Sequence, residues 1–394
     1  MRAAVVLVAL GALGTATAGE TPVIGGGSAA AGKWPDVAAI LFPSGSTDTQ
    51  ECTGVLIAPT VVITAGHCFV ASEGLPDNVL LGTISLDHPE TGETIAIASG
   101  MQFPDAEESE DVTVLVLAHA AAETPRAIAT GWARLDITNG AAVELVGYGA
   151  VDKNGSDYIP ELQEAMTTIT DADCSTSPGC NTLAQPAGEL GAGGMGIDTC
   201  PGDSGGPLYV LTDHGTFLAG VTSRSYDNAM FACSEGGIYE RPDKVVDWIE
   251  MVAGVPVTRG PEPSAPPIAM TRGNAGDTTI DVNDPVATAH TLAVTTPPAH
   301  GTAQVDDNGA LRVCPDPAVI GSDAVTVTIT DSADASRHLD LVIPIAIADG
   351  TAGTCTFDGF ASSGGGGCCD ARGGTGGILL GVVVLGVLRR RRIA

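Results

Sequence analysis

Asp198-Thr199-Cys200-Pro201-Gly202-Asp203-Ser204-Gly205-Gly206-Pro207-Leu208 is the stretch on which the reading of this 394-residue chain turns. It sets one serine, Ser204, among glycines, acids and a cysteine. A serine hydroxyl is a weak nucleophile at its free pKa, so chemistry at Ser204 needs a base, a group that orients the base, and N–H donors for an oxyanion. Two other stretches carry suitable residues. Thr64-Ala65-Gly66-His67-Cys68 puts a histidine directly after a β-rich run and beside a cysteine. Asp111 heads the apolar run Val112 to Leu117, and a carboxylate held there can fix a histidine tautomer and stabilise its imidazolium. Each has a plain structural alternative, since a lone histidine is more often a surface or packing residue and an aspartate at a strand head is usually solvated. Asp105 competes for the acid role but has no apolar strand after it.

Composition narrows the rest. Acidic residues outnumber basic ones 47 to 17, for a formal charge of −30, which argues against nucleic acid or an anionic lipid surface as partner. Only Lys33, Lys153 and Lys244 represent lysine, which suits a protein working in salt, where exposed charges are screened. With 44% hydrophobic residues the chain has material for two folded units. Met1-Arg2, the apolar run Ala3 to Leu13 and Ala16-Thr17-Ala18 read as a secretory signal over residues 1–18, too short for a membrane anchor. Export through the inner membrane makes disulfides the expected state of the ten cysteines.

The chain beyond the signal reads as mostly β. Residues 19–22 form a short propeptide ahead of Val23-Ile24-Gly25-Gly26. Strands are expected at Val37 to Phe42, Gly54 to Ile57, Val61 to Thr64, Val79 to Leu81, Thr94 to Ala98, Val112 to Leu117, Ala142 to Val146, Pro207 to Leu211 and Phe217 to Thr222. Glycine and proline punctuate them at hairpin-like intervals, as in a barrel or sandwich. Over Pro242 to Val252, helical spacing of Val245, Val246, Trp248, Ile249 and Val252 predicts one amphipathic helix. Residues 254–267 hold five prolines and read as a stiff linker. Residues 268–350 are β-patterned again, with strands expected at Thr279 to Val282, Thr291 to Thr295, Ala324 to Thr330 and Leu339 to Ile347; Cys314 has Cys355 as its candidate disulfide partner, the alternative being that Cys355 belongs with the tail. A glycine-rich, cysteine-containing spacer at 351–377 precedes residues 378–394, an apolar run with a terminal arginine cluster. The run Ile378 to Leu388 is short for a transmembrane segment, and Arg389 to Arg392 should stay cytoplasmic.

Three resemblances follow from these motifs. The order His67, Asp111, Ser204 and the contexts of each resemble the chymotrypsin/trypsin family of serine peptidases from Val23 to about Val252. That order differs from the α/β-hydrolase and subtilisin arrangements. Residues 268–350 resemble bacterial immunoglobulin or cadherin-like modules. Cys368-Cys369, the apolar run and the arginines resemble Myxo-type C-terminal sorting signals.

The first resemblance implies the mechanism already known for that family, a standard worked case of serine catalysis. The implied fold is an all-β double six-stranded β-barrel over 23–253 with a C-terminal helix, followed by a small β-sandwich. Ser204 would be nucleophile, His67 general base then acid, and Asp111 its orienter. The N–H groups of Gly202 and Ser204 would form the oxyanion hole. Asp198 would sit at the base of the S1 pocket and select Arg or Lys at P1, with Ser223, Ser225 and Gly237 as its walls and Ser223 also supporting Asp111. Arg224 and Ser225 depart from the aromatic residue and glycine usual there. Asp203 would pair with the freed Val23 amino group, and the Pro22-Val23 bond implies activation by another peptidase. Implied disulfides are Cys52–Cys68, Cys174–Cys180 and Cys200–Cys233. Proteins or peptides are the expected substrates, for a monomer with no cofactor and no metal. The tail implies a cell-surface or outer-membrane location, with release after processing and sorting machinery as a partner. The rival reading is a weak or inactive protein of this fold that serves adhesion through its β-module.

Overall fold

The computed structural model describes residues 23–360 apart from 45–46, 71–74, 105–109, 182, 185–186, 288 and 359. The signal, the propeptide, Asp105 and the expected sorting tail therefore lie outside the described residues. Within them no helix is long and apolar enough to cross a membrane.

A short strand β1 (Gly27–Ser28) precedes the first barrel. That barrel comprises β2 (Val37–Ser44), β3 (Thr47–Ala58), β4 (Val61–Ala65), β5 (Asn78–Leu81), β6 (Glu93–Gln102) and β7 (Val112–Leu117), closed in the order β2-β3-β4-β7-β6-β5. The second comprises β8 (Ala142–Gly147), β9 (Gln163–Asp171), β10 (Glu189–Ala192), β11 (Pro207–Thr212), β12 (Gly215–Ser225) and β13 (Gly237–Glu240). Its order is β9-β10-β13-β12-β11-β8, the β8–β9 pairing closes it, and β1 extends β9. Both barrels are antiparallel, the expected double six-stranded architecture.

The apolar runs lack a polar alternation because both faces of these strands are buried. With a side-chain period of two, Ala38, Ile40, Leu56 and Val62 join one core cluster with Val79, Ile95 and Leu115. Their neighbours Val37, Ala39, Val55, Ile57, Val61 and Ile63 join a different cluster that includes Tyr148, Tyr209 and Ile249 from outside the first barrel. A polar clamp crosses the same seam. Arg126 donates to Asp36 from Nε at 3.0 Å and Nη2 at 2.7 Å, Tyr209 donates to Asp36 at 2.5 Å, and Trp34 stacks on Tyr209 at 4.7 Å.

Several elements differ from expectation. Strands β9, β10 and β13 carry buried charged or polar residues, Gln163, Asp171, Glu189 and Glu240 among them, so no apolar run announces them. The predicted helix over Pro242 to Val252 is a 3-10 turn at Pro242–Lys244, then an α-helix at Val246–Ala253. Between them Val245, at φ −117°, leaves helical geometry, and Gly254 ends the helix at φ +67°.

The C-terminal module is a sandwich. One sheet is β14 (Ile268–Thr271), β20 (His338–Ala348), β19 (Gly321–Asp331) and β16 (His290–Thr296), in that order. The other is β15 (Gly276–Thr279), β18 (Ala310–Pro315) and β17 (Gly301–Val305). The strand expected at Thr279 to Val282 lies earlier, at Gly276–Thr279, because Asp281 instead bridges Ser264. Strands β14, β17 and β18 have no counterpart among the expected strands, being short and only partly apolar. Ile268, Leu311, Val325 and Ile343 share one core between the sheets.

Trp132 of the peptidase region, in the turn α1 (Gly131–Arg134), belongs to that same core and is fully buried. Its Nε1–H donates to the Val282 carbonyl at 2.8 Å, and its ring lies 5.6 Å from that of His290. Arg337 of the module adds an ion pair to Asp136 at 2.6 Å. The proline-rich stretch is also pinned to the barrels, since Thr258 N–H donates to Ile57 and Gly260 N–H to Ile128, each at 2.8 Å. Removing a fully buried tryptophan side chain costs about 3–5 kcal/mol. Trp132→Ala is therefore expected to lower the melting temperature of the whole chain and expose the module to limited proteolysis. Unchanged melting and protease resistance would show that this ring does not join the two units.

Candidate active site

Asp111 is placed by the strand it heads. Pairing of β4 with β7 sets Ala65 opposite Val112, so the turn Gly66–Cys68 brings His67 beside Asp111. The His67 Nδ1 lies 2.8 Å from Asp111 Oδ2, and the His67 backbone N–H donates to Oδ1 at 2.7 Å. Ser223 Oγ donates to Oδ2 at 2.7 Å. Burial alone would raise the Asp111 carboxyl, but the hydrogen bonds and charge of His67, with the hydrogen bond of Ser223, hold it below the usual carboxylate range. A carboxylate accepting three donors is thereby kept ionised, able to hold His67 with Nδ1 protonated and to stabilise an imidazolium.

The Ser204 loop is anchored to the first barrel. Thr53 N–H donates to the Ser204 carbonyl at 2.8 Å, and the Gly202 carbonyl accepts from Thr53 Oγ1 at 2.8 Å and Gln50 Nε2 at 2.9 Å. No local signal in the sequence marks Gln50 and Thr53, which lie 152 and 149 positions from the glycine they hold. Gly202 has φ +96°, and a Cβ there would stand 2.9 Å from Gly149 Cα, so both conformation and space require glycine. Disulfides join Cys52 to Cys68, Cys174 to Cys180, Cys200 to Cys233 and Cys314 to Cys355.

Ser204 and Ser223 open onto one cavity of about 330 Å³, whose lining also includes Asp198, Thr199, Arg224 and Ser225. Asp198 is buried and accepts from the N–H groups of Thr199 at 2.9 Å, Gly236 at 2.9 Å and Glu235 at 3.1 Å. Burial pushes its carboxyl up to about 6 even against those donors. A Cβ on Gly237 would stand 2.9 Å from the Arg224 carbonyl oxygen and 3.7 Å from Asp198 Oδ1, so it is the backbone of Arg224 that requires glycine beside that carboxylate. Ser225 donates to the Ala232 carbonyl at 2.9 Å and forms part of the wall. Arg224 turns inward onto Glu189 and Glu240.

Asp203 is fully buried and accepts from Gly149 N–H at 2.7 Å and Cys200 N–H at 2.9 Å, both uncharged donors. Burial pushes its carboxyl up to about 7, with the charge of Asp198 adding to the shift. Val23 is buried in the core of the second barrel, and the neighbouring Ile24 bridges Asp198.

The family model described as Trypsin matches residues 23–249, and that described as Bacterial Ig domain matches residues 261–343. The chain is 29% identical over 244 residues to Serine protease Hayan of Drosophila melanogaster, covering 56% of this chain and 37% of that protein. It is 30% identical over 215 residues to Trypsin of Saccharopolyspora erythraea, covering 51% of this chain and 86% of that protein.

Proposed function

Since the chain belongs to the trypsin family through residues 23–249, we propose that it is a serine endopeptidase acting through Ser204, His67 and Asp111 on proteins with Arg or Lys at P1. The observation that carries the reading is the Asp111 carboxylate, held by His67 on one side and Ser223 on the other, with Ser223 and Ser204 lining one cavity. In this mechanism His67 takes the Ser204 proton as Oγ attacks the scissile carbonyl, and then delivers it to the leaving amine. Water repeats the sequence on the acyl-enzyme. The N–H groups of Gly202 and Ser204 stabilise the oxyanion, with a contribution of about 3 kcal/mol for each donor.

Asp198 supports the basic P1 preference because a carboxylate buried among backbone N–H donors favours a guanidinium or ammonium partner. Its ionised form predominates only above about 6, so KM for an arginyl amide should rise as pH falls below that value. Steady-state kinetics across this range checks the prediction, and Asp198→Asn should flatten the KM dependence. Export, surface anchoring through residues 351–394 and tail processing belong to the same proposal. The test of the whole reading is hydrolysis of an arginyl amide by protein beginning at Val23, together with labelling of Ser204 by a serine-directed phosphonate. Absence of both would overturn it.

A further inference from the structure

We propose that Arg224 is a positioning residue for the reaction, aligning the Asp111–His67 couple through the Ser223 hydroxyl; this rests on the peptidase reading above. Arg224 Nη1 donates to Ser223 Oγ at 3.1 Å, and that oxygen lies 2.7 Å from Asp111 Oδ2. A guanidinium has donors and no acceptor. Ser223 therefore accepts from Arg224 and directs its own hydrogen to Asp111. The resulting line of donors runs from Arg224 to Ser223 to Asp111, which holds His67 from its far side.

The guanidinium is itself held in place by an uncommon set of partners. Nη2 donates to Glu189 Oε1 at 2.6 Å and to the Gly179 carbonyl at 2.7 Å, and Nη1 lies 3.5 Å from Glu240 Oε1. Glu189 on β10 and Glu240 on β13 are direct cross-strand partners, and both are buried. Two ionised carboxylates opposed in this way repel each other, and a cation between them offsets that repulsion. Burial, with the charges of Glu189 and Asp111, pushes the Glu240 carboxyl well above its ordinary range. In the neighbouring Cys174–Cys180 loop the Asp171 carboxylate accepts from the N–H groups of Ser175 to Ser177, Tyr226 meets Thr170, and the Asp227 backbone N–H donates to the Pro178 carbonyl. The nearby Arg241 is paired with Asp243. Arg224 thus spans the acid cluster and the serine beside Asp111, and the disulfide-closed loop that carries Gly179 keeps it there.

The test compares full chain beginning at Val23 as wild type, Arg224→Met, Arg224→Lys, and Arg224→Met combined with Glu189→Gln and Glu240→Gln. The combined variant removes the buried carboxylates that Arg224→Met would leave unpaired, so a folding defect in the single variant does not decide the question. Readouts are kcat and KM for an arginyl amide against pH, and the proton NMR titration of the His67 ring. Loss of the relay should lower kcat about 10-fold or more in the combined variant with little change in KM, since orientation of a general base is a kcat effect. The His67 NMR midpoint should move in the same variant, and Arg224→Lys should recover part of kcat. A combined variant with wild-type kcat and an unmoved His67 titration would overturn the proposal. Because the NMR titration needs no turnover, a wild type that cleaves nothing would sink the peptidase reading while still testing the Arg224 relay.

Discussion

Ser204→Ala is expected to reduce arginyl amide hydrolysis by about 10⁴-fold to 10⁶-fold while leaving KM close to that of the parent protein. In the proposed mechanism the hydroxyl is the atom that bonds to the substrate carbonyl, and neither the cavity nor Asp198 depends on it. Asp198 is fixed by backbone N–H groups of Thr199, Glu235 and Gly236, so the base of the cavity should survive the substitution. The loop should survive as well, because its anchors are backbone groups of Gly202 and Ser204 against Gln50 and Thr53. His67→Ala should come within the same range, since residues that act as one unit give non-additive losses. Equal turnover by Ser204→Ala and the parent would remove the catalytic assignment altogether.

A second large effect is expected at Val23. Protein in which the peptide bond before Val23 is intact should hydrolyse amides at least about 10³-fold more slowly than protein beginning at Val23, the scale attached to oxyanion donors. The reason lies with Asp203, buried against uncharged donors, whose carboxyl stands at about 7 against an ordinary 3.8. A carboxyl raised on folding is bound more tightly to its proton in the folded state. Folding of the uncut chain therefore loses stability as pH climbs from about 4 to about 7, by on the order of 4 kcal/mol. In the proposed activation, a freed Val23 α-ammonium placed at Asp203 is expected to remove that loss and order the neighbouring Gly202–Ser204 turn. Thermal unfolding against pH should consequently show a downward slope in the uncut chain and a flatter one after release. Full activity with residues 19–22 retained would refute the coupling, as would Asp203→Asn with undiminished turnover.

The parts of the site that are legible in the chain are those carried by local residue types. Ser204 with its glycines, His67 after an apolar strand and Asp111 before one announce themselves within a few positions. Three of the cysteine pairs are implied by the family resemblance, whereas the sequence leaves Cys355 open between Cys314 and the tail, and the fold pairs it with Cys314. Strands β9, β10 and β13 are not, because Gln163, Asp171, Glu189 and Glu240 point into buried surroundings where an apolar pattern would be expected. The effect of Arg224 is not legible either. From sequence it stands only as a departure from the aromatic residue usual beside the pocket, whereas in the fold it pairs with Glu189, 35 positions earlier.

By itself the sequence carried the strand rhythm of the first barrel and part of the second and of the module, together with the residues flanking Ser204, His67 and Asp111, because those depend on near neighbours. Only the tertiary structure decided what each side chain faces. Asp111 meets Ser223 across 112 positions, and Trp132 reaches Val282 across 150 to join the core of the C-terminal module. Contacts of that span arise from how strands register and close into barrels, and the energy of a buried charge or ring depends on those surroundings rather than on its neighbours along the chain.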